Sequence, residues 1–118
     1  MSKPSKITQN KITENQATVD CLAWVRQLGW YAHRNQVGLF YTRDGRPVKI
    51  GVEGTPDWLL LHPEHGIVWL EMKSSTGKPS KLQRERLAML RHLGFRVGVA
   101  RSVMGLAKLF EDEWGLPI

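Results

Sequence analysis

Three side chains near the middle of the sequence, Asp57, Glu71 and Lys73, have the types and spacing to hydrolyse a phosphate ester. Glu71 and Lys73 stand two apart in the run Ile67–Lys73, so in a strand they share a face, about 6.5 Å apart by strand rise. Trp69 shares that face, and Val68, Leu70 and Met72 take the other. Asp57 precedes a second apolar run, Trp58–His62, and the link through Pro63–Gly66 is short enough to require antiparallel pairing. That pairing brings the start of one strand to the end of the other, and Asp57 to Glu71 or Lys73. Two carboxylates at one point repel each other and make a hard oxygen site suited to Mg²⁺ or Mn²⁺. A lysine beside them can orient an attacking water or help deprotonate it, and can neutralise charge developing on phosphate. Spacing alone equally allows a surface ion pair between Asp57 and Lys73, with Glu71 solvated at a strand end.

The surrounding elements must deliver those residues. Thr13–Gln16 has the form of a capping box, and Ala17, Cys21, Leu22, Val25 and Leu28 recur at helical spacing before Gly29, which predicts a helix over 14–28. Residues 30–52 read as short strands, Trp30–His33, Leu39–Thr42 and Pro47–Ile50, with Asp44-Gly45 as a hairpin turn. After the two strands of the site, a loop over 74–79 ends at a second capping box, Ser80–Gln83, and a helix carries Leu87, Leu90 and Leu93 to Gly94. Phe95–Ala100 is a strand, and Ser102 caps a last helix with Leu106, Leu109, Phe110 and Trp114. The strand–helix–strand segment 67–100 has the length of a parallel crossover. The expected fold is α/β, a small mixed β-sheet flanked by helices.

A length of 118 residues fits one domain, expected over 13–118 behind a loose basic arm over 1–12. No apolar run approaches the roughly 18 residues that would span a bilayer, and no apolar segment follows the basic start as in a secretory signal. A lone cysteine, Cys21, forms no internal disulfide, and the expectation is a cytoplasmic protein, bacterial or in a phage-infected host. Cys21 itself reads as a small core residue. The formal charge of +6 points to an anionic partner, most commonly nucleic acid.

Gly54-Thr55-Pro56-Asp57, Glu71-Met72-Lys73 and Gly77-Lys78-Pro79-Ser80-Lys81-Leu82-Gln83, in that order, resemble the VRR-NUC (virus-type replication–repair nuclease) family of the PD-(D/E)xK superfamily. The resemblance covers about residues 14–105 and implies a restriction-endonuclease-like core. It implies that Asp57, Glu71 and the Met72 main-chain carbonyl ligate Mg²⁺ or Mn²⁺, and that Lys73 serves the attacking water. A further acidic metal ligand on the first helix is also implied, matched by Glu14 with Asp20 as a substitute, and Gln83 matches a catalytic-site glutamine that opens the helix behind the core. Leu87 stands where the family often has an aromatic. Both conditional residues have structural readings too: Gln83 completes a capping box, and Glu14 suits a helix N-terminus.

The implied activity is a metal-dependent DNA endonuclease, selective for branched DNA such as a Holliday junction, serving repair, recombination or replication as a homodimer. A non-catalytic nucleic-acid-binding domain that kept the fold is the alternative. An interaction protein without a nucleic-acid role would leave the charge and the carboxylate–lysine arrangement unexplained. Arg34, Arg43, Arg46, Lys49 and Lys78 are the expected phosphate contacts, positioning DNA without reading it. Arg84, Arg86 and Arg91 are expected to coat their helix, and Trp58 to line the cleft. The loop Ser74–Lys78 lacks P-loop spacing, so no nucleotide cofactor is expected. His62 and His65 with Glu64 lie in a turn without further clustered ligands and are set aside as zinc ligands.

Overall fold

The first helix forms where its cap and its apolar spacing agree. In the computed structural model, which describes residues 11–118, helix α1 spans Glu14–Gln27. The Gln16 N–H donates to Thr13 Oγ1 at 3.0 Å, and Ala17, Cys21, Leu22 and Val25 make the buried stripe. Only half of the expected capping box forms. The Gln16 side chain donates forward to Asp20 at 2.8 Å, because the next helical turn offers it a carboxylate. Residues 1–10 of the expected arm lie outside the described residues. Ile12 belongs to the fold: its N–H donates to Ser75 Oγ at 2.7 Å, and the Ser75 N–H donates to its carbonyl at 2.9 Å.

Strands follow as β1 (Tyr31–Arg34), β2 (Gly38–Tyr41), β3 (Pro47–Ile50), β4 (Trp58–His62), β5 (Gly66–Met72) and β6 (Arg96–Ala100). Helix α2 (Lys81–His92) links β5 to β6, and α3 (Val103–Lys108) runs into a π-helical turn over Leu109–Glu113. The main sheet has the order β1-β4-β5-β6. β4 pairs antiparallel with β1 and with β5, whereas β6 lies parallel to β5, the arrangement that the helical crossover requires. β2 and β3 form a separate two-stranded sheet, paired from Gly38↔Ile50 to Tyr41↔Pro47. Gly51, at the foot of that hairpin, has φ +76, and a Cβ there would run into the Gln36 carbonyl oxygen. Only glycine permits so close a crossing.

Helices cover both faces of the main sheet. On one face Leu60, Val68, Leu70, Met72 and Ala100 pack with the α1 stripe and with Leu106 and Phe110. Trp24, Trp30 and Trp114 set their rings around Phe110 with centroids 5.1 to 5.6 Å away, which accounts for three of the five tryptophans. On the other face Leu87 and Leu90 of α2 meet Val97, with Trp69 and Val99 against them. Each large apolar side chain buried this way contributes about 1.5–3 kcal/mol. Among the described residues no helix is long and apolar enough to cross a membrane.

Candidate active site

The main sheet forks at one point. β4 begins at Trp58, opposite Leu70, while β5 runs on to Met72 alongside β6. One further step of the ladder sets Asp57 opposite Glu71. By the alternation of a strand, Glu71 takes the face that α2 covers. Its side chain is 1% exposed, so the solvated strand-end reading fails: the helix behind the site closes over it.

Partners for that buried carboxylate come from the end of its own strand and from α2. Lys73 Nζ stands 3.5 Å from Glu71 Oε2 and is itself largely covered. The lysine therefore pairs with Glu71 rather than with Asp57, because side chains two apart on a strand share a face. Gln83 Nε2 donates to the same oxygen at 3.2 Å. Among the described residues Glu71 Oε1 is buried with no hydrogen-bond partner. Burial, then the neighbouring Asp57 carboxylate, raises the Glu71 carboxyl from 4.5 to about 7, against the opposing pull of the Lys73 ammonium. Two acids sharing a dry site resist ionising together.

Gln83 both caps its helix and bonds to Glu71. Its Oε1 accepts from the Ser80 N–H at 2.8 Å while the Gln83 N–H donates to Ser80 Oγ at 3.1 Å, a complete capping box. The remaining amide nitrogen faces Glu71. One side chain thus starts α2 and ties it to the carboxylate.

Asp57 is held from two sides. The Asn35 N–H donates to the Asp57 carbonyl at 2.7 Å, and Asn35 Nδ2 donates to the Pro56 carbonyl at 3.0 Å. From the opposite side the segment before Asp57 leans on α2: Arg86 Nε donates to the Glu53 carbonyl at 3.2 Å, and a Cβ on Gly54 would lie 2.8 Å from the Leu82 carbonyl oxygen. Arg86 thus does more than coat its helix.

The Met72 carbonyl fits the same corner. The Lys73 N–H bonds to Ala100 on the β6 side, so the Met72 backbone groups point the other way, where β4 has already ended. Two carboxylates, one oxygen without a partner and a carbonyl at an open edge are a donor set that suits a hard divalent cation. Glu14 lies exposed at the start of α1, as does Asp20 farther along the same helix. Among the described residues no three His, Cys, Asp or Glu side chains gather as a metal cluster, so neither acid is assembled with Asp57 and Glu71.

A cleft of about 280 Å³ opens beside Asp57, lined by Arg34, Asn35, Gln36, Val37 and Phe40. Trp58 is not among its walls, because a residue next to Asp57 on a strand faces the other way and packs on the α1 side. The Arg34 guanidinium lies 5.8 Å from the Trp58 ring centroid. Arg43 stands at the tip of the β2–β3 hairpin; Arg46 pairs with Asp44 at 3.2 Å, and Lys49 with Glu53 at 3.7 Å. Both pairs are exposed and worth little, so a phosphate can take the place of the acid. Lys78 is exposed in the loop after Lys73. That loop is fastened by Arg101, whose Nη1 donates to the Ser74 carbonyl at 2.7 Å and to the Gly77 carbonyl.

Asn35, Phe40 and Arg101 carry no expectation from the sequence analysis above. Arg101 had a usable signal, since it follows the carboxyl end of a strand parallel to the one carrying Glu71, where α/β sheets place their sites. His62 packs at a tilt against His65 and Trp30, with ring centroids 4.5 and 5.0 Å away. Cys21 is fully buried within the core, and burial raises its thiol to about 11.

A family model described as the VRR-NUC domain matches residues 12–104. A solved structure titled "VRR_NUC domain" superposes with a TM-score of 0.64 at 22% identity, covering 86% of this chain and 98% of that one. No curated protein matches the chain.

Proposed function

The chain belongs to the VRR-NUC family of nuclease domains, and we propose from that premise that it is a divalent-metal-dependent DNA endonuclease. The observation that carries the proposal is the buried Glu71 oxygen beside Asp57, without a hydrogen-bond partner among the described residues, with Lys73 3.5 Å from the other oxygen of the same carboxylate. A carboxylate kept dry with one oxygen unsatisfied costs free energy, which a bound cation recovers.

Asp57, Glu71 and the Met72 carbonyl would hold Mg²⁺ or Mn²⁺, which when bound supplies the positive charge that polarises the scissile phosphate. Lys73 positions the attacking water and steadies charge developing on the phosphoryl oxygens. Gln83 keeps the Glu71 carboxylate oriented, and Asn35 keeps Asp57 in place. Arg34, Arg43, Arg46, Lys49 and Lys78 supply sequence-independent phosphate contacts. Four-way and other branched DNA are the proposed substrates. A homodimer completes the reading, because one small domain offers only a short track for DNA.

The test incubates the protein with plasmid, linear and four-way-junction DNA in Mg²⁺, Mn²⁺ or EDTA. Metal-dependent cutting that disappears in Asp57→Ala and Lys73→Ala is the expected result. Tight binding without cutting under either metal would overturn it in favour of a binding module that kept the fold. Sedimentation should return twice the monomer mass of 13.5 kDa.

A further inference from the structure

The β2–β3 hairpin is poorly explained as a folding element. It pairs with no strand of the main sheet. A two-stranded ribbon alone is marginal in water. Of its eight strand residues, Leu39, Phe40, Tyr41, Val48 and Ile50 are apolar or aromatic and 39–67% exposed. The register separates them into two faces. Phe40 and Val48 are directly paired, with Ile50 on the same side, and this face carries Phe40 into the cleft beside Asp57. Tyr41 and Leu39 take the other face with Lys49.

The cleft therefore offers an unusual mixture beside Asp57: a 44% exposed phenyl ring in a wall that is otherwise formed by Arg34, Asn35, Gln36 and Val37. A phosphate track alone has no use for a phenyl ring. A planar, uncharged face next to cationic and amide groups matches a nucleobase attached to a phosphate backbone. The basic residues Arg43 and Arg46 at the turn of the same hairpin complement that backbone.

We propose that Phe40 is a stacking platform for one unpaired nucleobase next to the scissile phosphate, so that the cleft accepts DNA with a splayed or unpaired nucleotide over intact duplex. The proposal rests on the nuclease reading for its substrate class but not for its measurement. A duplex keeps its bases stacked and presents the Phe40 ring with nothing to cover. A junction, flap or bulge supplies a free base at no unstacking cost.

The experiment measures binding by anisotropy in EDTA, where no cutting occurs. It uses the whole chain and a short duplex with one unpaired adenine, against the same duplex with an abasic site there. Wild type should bind the adenine form about tenfold tighter, in line with one base–aromatic stack. Phe40→Ala should bind both alike, and Phe40→Trp should restore the difference. With 2-aminopurine at the unpaired position, binding to wild type should change its fluorescence, and binding to Phe40→Ala should leave it as in free DNA.

Equal wild-type binding of the adenine and abasic forms would overturn the proposal, and that comparison needs no variant. A base preference that survives Phe40→Ala would overturn it too, as would a dimer lost in Phe40→Ala without any base preference. Cutting without base preference sinks this inference and leaves the nuclease reading standing. Base preference without cutting under Mg²⁺ or Mn²⁺ does the reverse.

Discussion

Replacing Glu71 by Gln should stabilise the metal-free protein at alkaline pH. Glu71 is buried to 1% exposure, and its carboxyl is raised from 4.5 to about 7 by burial and by Asp57. Between those two values the folded state holds a proton that the unfolded state has released, so stability must fall as pH rises. The contribution is fully present below about pH 4.5 and is lost as pH climbs through about 7. At 1.36 kcal/mol per pH unit the loss comes to roughly 3 kcal/mol at pH 8. The titration belongs to the Glu71–Asp57 pair as a whole. Glutamine keeps the shape and removes the charge. Urea denaturation in EDTA from pH 4.5 to 8 should show the two proteins alike at the acid end. At pH 8 Glu71→Gln should be ahead by roughly 3 kcal/mol, or about 10 °C in Tm. Adding Mg²⁺ at pH 8 should lift wild type and narrow the gap, since a bound cation stabilises the ionised pair. Parallel profiles for the two proteins across the whole range would refute the reasoning.

Gln83→Ala removes both the cap bond to Ser80 and the bond to Glu71, and should cost about 1–2 kcal/mol of stability by chemical denaturation while lowering cleavage. Gln83→Glu keeps the cap but sets a third carboxylate at the site, so it should retain α2 in circular dichroism and lose activity. Asn35→Ala should cost about 1 kcal/mol and reduce kcat more than DNA affinity, because Asp57 loses a support and the phosphate contacts do not. The Cys21 thiol, raised to about 11 by burial, should resist a thiol reagent at pH 8 in the native protein and react at once in urea; fast native labelling would contradict its place in the core.

The approach of Asp57 to the Glu71–Lys73 end of β5 is legible in the sequence alone, because a short turn requires the two strands to pair antiparallel, whereas the register that sets Asp57 opposite Glu71 is seen only in the fold. Their faces are legible as well, since period-two alternation is strict. What the alternation does not say is what lies against each face. By its position in the strand Glu71 could equally be solvated, and it is the packing of α2 that covers it. The double bond set of Gln83 is hidden for a related reason: a capping box explains the residue completely within four positions, and the second partner is twelve residues away. Strand propensity locates β2 and β3 but does not tell that they pair only with each other, because pairing partners are decided by packing. Phe40 carries no site signal in the sequence on that account. Trp58 is expected at the wall of the cleft, although its parity with Asp57 already places it on the opposite face.

The crossing at Gly51 has a consequence for how such a protein can vary. Because the two stems of the hairpin touch at Gln36 and Gly51, the ribbon beyond them closes on itself like an insertion, and Asn35 holds Asp57 from a point before the crossing. Residues 38–50 can therefore be lengthened, recharged or exchanged for another ribbon with the hydrolytic centre left as it is. The hairpin behaves as a replaceable bit on a fixed drill. Hybrids that carry ribbons of different charge and aromatic content should share one metal and pH dependence and differ only in the shape of DNA they prefer.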